Sequence, residues 1–474
     1  MKCNSATAAQ LTCTVEAELV GAGIADQDAA LLAATWVINA DFLLTLHPHA
    51  GADFVIGNPP YIRYDDVPEG LLATYKTMYS TMKGRADIYI AFFQAALSQL
   101  TEQGVCAFIC ADRWMLNAYG AELRRFVTRN FGVEAVVEMH NAAAFEDDVS
   151  AYPAIVVIRR AVQGTAIVAS ASGQAGPIEG IRLADLLTDV AHGRRNGHAL
   201  PGFRATATDA WFIGDNPWPC VSPERLALLQ RLEGQFLPLE DNATGTKIGI
   251  GVATGADDVF ITTDPAVVEP ERLMPLAMAS DTKNGHLAWS GHYLIDPWEK
   301  DGLVNLDRYP KLAAYFTKHR AALTKRNVAS RNPRGWYRTI DRVTHALLQE
   351  PKLYFPDMKL TIHPVLDEGK TYPHHNLYVL TSTGWDLEVL GGLLLSRVSQ
   401  FFVECYCVRM RGGTLRFQAQ YLRRIRVPSP DAIPLDAADD LRAAFRNRDV
   451  QQATAIAFRL YGIDELPLEA VHGS

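Results

Sequence analysis

The strongest chemical signal in the chain is Asn58-Pro59-Pro60-Tyr61, four residues placed directly after the apolar run Asp53–Gly57. Consecutive prolines fix the backbone and remove two N–H donors, while their carbonyls remain free to accept. Asn58 adds a side-chain carbonyl acceptor, and Tyr61 adds a flat aromatic face. Acceptors beside a stacking plane suit an exocyclic amine attached to an aromatic base. The bland alternative is a rigid turn carrying a surface tyrosine, and what separates the two is the structural context that the flanking elements supply.

That context is an alternation of strand and helix signals. Residues 15–39 read as helical with a break between Gly21 and Asp28. The pattern then predicts a strand at 52–57, a helix over 86–101, a strand at 104–110, a helix over 119–130, and strands at 133–139 and 154–158. Such alternation implies a doubly wound, Rossmann-like α/β sheet, in which ligands sit at the carboxyl ends of the strands. Asn58 follows the carboxyl end of the first predicted strand. Residues 166–244, rich in Gly, Ala and Pro at first, read as a linker or excursion after a catalytic domain at 1–165. Residues 245–430 carry short, turn-rich strand pieces and one helical stretch from Trp385 to Cys405, an α+β pattern. An acidic helical tail occupies 431–474.

The tetrapeptide resembles the catalytic motif of the amino-methylating DNA methyltransferases, and its Tyr form resembles the N6-adenine branch. Ala-Asp-Phe-Leu-Leu at 40–44 and the whole of 52–61 are similar to TaqI-type adenine methylases. Residues 84–93, 111–124 and 141–155 are similar to further blocks of type II and type IIG restriction–modification methylases. Ile-Gly-Ile-Gly-Val-Ala-Thr-Gly-Ala-Asp-Asp-Val-Phe-Ile at 248–261 and Arg-Gly-Gly-Thr-Leu-Arg-Phe at 411–417 resemble their target-recognition region. The resemblance implies adenine N6 methylation of duplex DNA with S-adenosylmethionine as donor. Asn58 and the Pro59 carbonyl would accept the two N6 hydrogens. Tyr61 and Phe145 would sandwich a base flipped out of the duplex. Asp41 and Phe42 would hold the cofactor adenine, with Asn58 beside it. No cysteine nucleophile is required.

The same family carries a glycine-rich cofactor loop and a following acidic residue upstream of the catalytic motif. Here Gly21-Ala22-Gly23 lies inside a helical pattern, and Asp26 or Asp28 fits a helix N-cap better than a ribose ligand. The expectation is a catalytic sheet that is incomplete on its N-terminal side, with the cofactor loop supplied by an earlier start or by a second polypeptide. A DNA-binding specificity subunit that lacks its own cofactor site is the competing reading.

Charge points to the same partner. The chain carries a net −8, yet residues 301–430 hold 20 Lys and Arg against 10 Asp and Glu, a local +10 that leaves −18 elsewhere. A basic block in an acidic protein is the footprint of a phosphate-facing domain, and it favours DNA over RNA or protein as substrate. Arg411, Arg416, Arg423 and Arg424 are the DNA-binding candidates. Lys325, Arg326, Arg331 and Arg334 beside Trp336 and Tyr337 form a second basic–aromatic cluster. Asp367-Glu368-Gly369-Lys370 matches a nuclease Glu-x-Lys pattern by chance more readily than by design. The seven cysteines lack zinc-site spacing, so no metal is expected. No apolar run is long enough to span a bilayer. A reduced cytoplasmic compartment is the default.

Overall fold

In the computed structural model the residues described are 5–45, 51–143, 153–174, 177–193, 199–200, 202–209, 214–407 and 414–467. The chain divides into two compact units, one ending at Pro223 and one running from Glu224 to Leu468.

The first unit opens with helices α1 (Ser5–Gly21) and α2 (Asp26–Trp36), separated by the expected turn. Ala25 occupies the N-cap of α2, so neither Asp26 nor Asp28 caps it. Both instead lie in the first turn, where a carboxylate favours the helix dipole. There follow β1 (Ala52–Gly57), α3 (Glu69–Met78), α4 (Tyr89–Leu97), β2 (Leu100–Ala111), α5 (Arg113–Leu116), α6 (Ala121–Asn130), β3 (Gly132–Ala143), β4 (Pro153–Arg159), β5 (Ala166–Gln174), α7 (Pro177–Ala191), β6 (Ala199–Leu200) and β7 (Phe203–Thr208).

These strands form one sheet in the order β1-β2-β4-β3-β5-β7-β6. β1 runs parallel to β2, with Phe54 opposite Val105 and Gly57 opposite Phe108. β4 is inserted antiparallel between β2 and β3, and β3 runs parallel to β5. The sheet is therefore mixed, with β4 set antiparallel into the doubly wound pattern. The reason is connection length. α6 gives β2→β3 a crossover, whereas residues 144–152 between β3 and β4 are too few for one, and a short connection joins antiparallel strands. Residues 166–208 depart from the linker expectation, since β5, α7, β6 and β7 extend the sheet. α7 packs Leu183, Leu186 and Val190 against Val137, Ala169 and Phe203.

α4 is buried on nearly every side. Its Phe93 meets Phe108 of β2 at 5.0 Å and Trp114 at 5.2 Å between ring centroids. β1, by contrast, is an edge strand. Phe54 and Ile56 are 75% and 83% exposed, although their residue types suit an interior strand.

In the second unit, strands Lys247–Ile250, Leu377–Thr381, Lys352–Pro356 and Val365–Asp367 pair antiparallel in that order. Every residue of 352–356 is buried. A second four-stranded sheet joins 261–262, 293–295, 273–277 and 372–373. The helical stretch after Trp385 is two helices, Leu387–Leu395 and Arg397–Tyr406, because Ser396 caps the second through the Ser399 N–H. The first of them packs against helix Leu435–Asn447 so closely that a Cβ on Gly392 would stand 2.5 Å from the Leu441 carbonyl oxygen.

Lys352 and Asp367 form a fully buried ion pair at 3.1 Å. Asp367 also accepts from the Tyr354 hydroxyl and from the Lys370 and Thr371 N–H groups. Glu368 and Lys370 pair with each other at the surface. The Asp-Glu-Gly-Lys run thus serves this turn.

Candidate functional site at the carboxyl ends of β1, β2 and β3

β1 delivers Asn58 at its carboxyl end. Asn58 is exposed and Pro59 buried, with Pro60 and Tyr61 between these extremes. Among the described residues, neither the Asn58 side chain nor the Pro59 carbonyl takes part in a hydrogen bond. The Pro60 carbonyl accepts from the Ile62 N–H at 3.0 Å. The tetrapeptide therefore presents two unused acceptors from a backbone that two pyrrolidine rings hold in place. The Tyr61 hydroxyl is buried. Burial, with the Cys110 thiol close by, raises its pKa above the usual phenol range, so Tyr61 offers a neutral ring.

The chain beyond the motif is tied to the start of α4. Ile88 N–H donates to the Ile62 carbonyl at 3.2 Å, and the Asp87 carboxylate accepts from Tyr64 N–H at 3.1 Å. Asp87 is thus a brace for the motif loop, while Ile88 occupies the N-cap of α4. Burial raises the Asp87 pKa, against the Tyr64 hydrogen bond and the nearby Arg63 and Arg113.

Asp41 and Phe42 lie in the turn between α2 and β1. Asp41 Oδ1 accepts from Leu43 N–H at 2.9 Å, and its Oδ2 accepts from the Tyr75 hydroxyl at 2.6 Å. A carboxylate has about four lone-pair sites, so two acceptor positions remain. Phe42 stacks on Phe92 of α4 at 5.1 Å and 9° between planes. A fixed carboxylate beside a fixed aromatic pair fits the amino edge and ring of an adenine. Phe145 lies outside the described residues.

The structure adds groups at the same strand ends that spacing alone did not single out. Asp112 follows β2 and is 2% exposed. Its Oδ2 lies 2.7 Å from Nε2 of His140 on β3, and Glu138 lies 3.1 Å from Nδ1 of the same ring. Burial works against a charge on this imidazole, but the two carboxylates outweigh it and raise its pKa. Tyr89 and Tyr119 share a hydroxyl–hydroxyl contact at 2.6 Å. The sequence signal available was an acid immediately after a buried strand, at Asp112. Its partner is 28 residues away.

In the second unit, Arg416 pairs with Asp357 through Nε at 3.2 Å and also through Nη2. Arg423 pairs with Glu240 at 2.6 Å and donates to the Ile248 carbonyl. The Arg424 guanidinium lies over the Tyr406 ring at 5.2 Å. Arg411 falls outside the described residues. In the second basic cluster, Arg326 is a staple of the fold. It donates to the carbonyls of Leu323, Thr254, Trp336 and Arg338 at 2.8–3.1 Å. Arg320 lies over the Trp336 ring at 4.9 Å.

Residues 19–145 match the family of Eco57I restriction-modification methylases. The chain is 39% identical over 458 residues to the type II methyltransferase M.BstVI of Geobacillus stearothermophilus, covering 96% of this chain and 81% of that one. It is 43% identical over 456 residues to the type II methyltransferase M.PaeR7I of Pseudomonas aeruginosa, covering 95% and 77%. Among solved structures, the type IIL restriction-modification enzyme MmeI in complex with DNA shares the fold. Its TM-score is 0.51 at 12% identity, over 87% of this chain and 55% of that one. Among the described residues no helix is long and apolar enough to cross a membrane.

Proposed function

The chain belongs to the type II methyltransferases of restriction–modification systems, and from that premise we propose that it methylates adenine N6 in duplex DNA with S-adenosylmethionine as donor. The observation that carries the reading is the pair of unused acceptors, Asn58 Oδ1 and the Pro59 carbonyl, at the carboxyl end of β1. When bound, S-adenosylmethionine supplies an electrophilic sulfonium methyl. Asn58 and Pro59 would accept the two amine hydrogens and draw the nitrogen lone pair out of the ring, so that it could attack the methyl in line as the S–CH3 bond breaks; that bonding pair would leave with S-adenosylhomocysteine, and the methylated nitrogen would lose one proton to solvent. The rigid Pro-Pro turn holds both acceptors in place before the substrate arrives, and such preorganisation lowers the barrier without reorganisation cost. Tyr61, with Phe145 opposite, stacks on the flipped base, each stack contributing roughly 1–3 kcal/mol. Asp41 and Phe42 hold the cofactor's adenine end. Residues 1–165 carry transfer, and residues 245–430 read the target through Arg411, Arg416, Arg423 and Arg424. The protein acts in the cytoplasm, where the DNA is.

The test is incubation with labelled S-adenosylmethionine and duplex DNA, alone and with cell extract, followed by nucleoside analysis. N6-methyladenine supports the reading. Label only in N4-methylcytosine or in protein refutes it.

One observation favours a second reading, in which another polypeptide completes the site. Among the described residues β1 is an edge of the sheet, with Phe54 and Ile56 exposed, and an uncovered apolar edge strand is a template for strand addition. In that case the chain alone binds S-adenosylmethionine weakly by calorimetry, and the partner restores binding.

A further inference from the structure

In the second unit, far along the sequence from the methyl-transfer motif, Asp257, His374 and His375 bring three ligand atoms within 4.8 Å of one another. From this arrangement we infer a binding site for a divalent transition-metal ion of the zinc class, made by Asp257, His374 and His375.

The two segments that carry these ligands are stitched together by backbone. Gly251 N–H donates to the Leu377 carbonyl, Val252 N–H to the Pro373 carbonyl, and His375 N–H to the Val252 carbonyl, all at 2.9–3.1 Å. The approach is close enough that a Cβ on Gly251 would stand 2.2 Å from the His374 carbonyl oxygen. The donors are thus held before any ion arrives. His374 Nε2 lies 3.2 Å from Asp257 Oδ2. That distance suits two ligands on one tetrahedral ion with bonds of about 2.0–2.2 Å. The Thr254 hydroxyl donates to the other Asp257 oxygen, the outer contact that orients a ligating carboxylate.

A second observation points to a ligand. The His374 side chain is 2% exposed, and Nδ1 of the adjoining His375 is buried and, among the described residues, without a hydrogen-bond partner. A lone Asp–His hydrogen bond does not call for a second imidazole against the first, yet the two rings sit 4.1 Å apart. Two imidazoles and a carboxylate are the donors that zinc-class ions take. Asp257 is half exposed, which leaves an entry path and an open coordination position. The ion would fasten loop 251–257 to the turn at 373–377.

The test uses the full chain, stripped with chelator and titrated with Co²⁺ and with Zn²⁺. The expected result is one equivalent of Co²⁺ giving a visible ligand-field spectrum that Zn²⁺ abolishes, and a rise in melting temperature on adding Zn²⁺. Asp257→Asn and His375→Gln should weaken binding by more than the roughly 10–100-fold cost of losing a group that merely orients a ligand. His345→Gln, which removes a separate Asp–His pair at 2.6 Å, should leave it unchanged. Absence of stoichiometric binding by the wild-type chain overturns the inference whether or not the variants fold. So does binding that survives both ligand substitutions, or that His345→Gln abolishes equally.

Discussion

His140 Nε2 and Asp112 Oδ2 stand 2.7 Å apart, joining the end of β2 to the end of β3 beside the strand that delivers Asn58. Because Asp112 and Glu138 raise the His140 pKa in spite of burial, the folded state holds the proton more tightly than the unfolded one. The stability gained is fully present below the unfolded value of about 6.5 and is lost as pH rises through the raised folded value. Urea midpoints should therefore fall for the wild type as pH climbs through and above the ordinary histidine range. The decline should flatten in His140→Gln. Parallel curves for the two proteins would show that the pair contributes no linkage.

Arg326 donates to four main-chain carbonyls, and no lysine can reproduce that fork. Arg326→Lys is expected to cost roughly 2 kcal/mol or more, by analogy with other charge-assisted hydrogen bonds. The check is the shift in urea midpoint at constant slope.

Asp367→Ala leaves Lys352 buried without its counter-ion, and breaking such a pair costs roughly 3–5 kcal/mol. Replacing both partners with apolar residues, Lys352→Met with Asp367→Leu, should recover much of that loss. A double variant as unstable as the single one would mean that the hydrogen bonds from Tyr354 and Thr371, rather than the charge pair, dominate.

Among the described residues, Arg424 has no carboxylate partner, whereas Arg416 and Arg423 are each paired with one. Of these three, Arg424 is therefore the freest to meet a phosphate. In fluorescence-anisotropy titrations on duplex DNA at several salt concentrations, Arg424→Ala should reduce the salt slope by about one and weaken binding on every sequence. An unchanged slope would take Arg424 off the DNA surface.

The local elements around the site were legible because each has a short-range cause. The strand at 52–57 is an apolar run that two prolines stop, and the turn between α1 and α2 is marked by glycines. β5 was missed because Ala-Ile-Val-Ala-Ser-Ala-Ser-Gly-Gln has few strand-forming residues after Val168. Packing under α7 and pairing with β3 decide its conformation, and packing routinely overrides β-propensity. The direction of β4 was readable in principle from the short connection before it. The Asp112–His140 pair and the Asp257–His374 pair were not, since their partners lie 28 and 117 positions apart and only the fold brings them together. Arg326 looked like surface charge for the same reason: its carbonyl partners reach back to Thr254.

The most direct measurement of the central claim is methyl transfer to duplex DNA by Asn58→Ala, under conditions where the wild-type chain or its complex is active, with cofactor and DNA binding measured alongside. Loss of one preorganised acceptor aimed at the reacting amine should lower turnover by roughly 100-fold or more and leave the melting temperature unchanged, since Asn58 is exposed and makes no hydrogen bond among the described residues. N6-methyladenine formed by Asn58→Ala at near wild-type turnover would contradict the account.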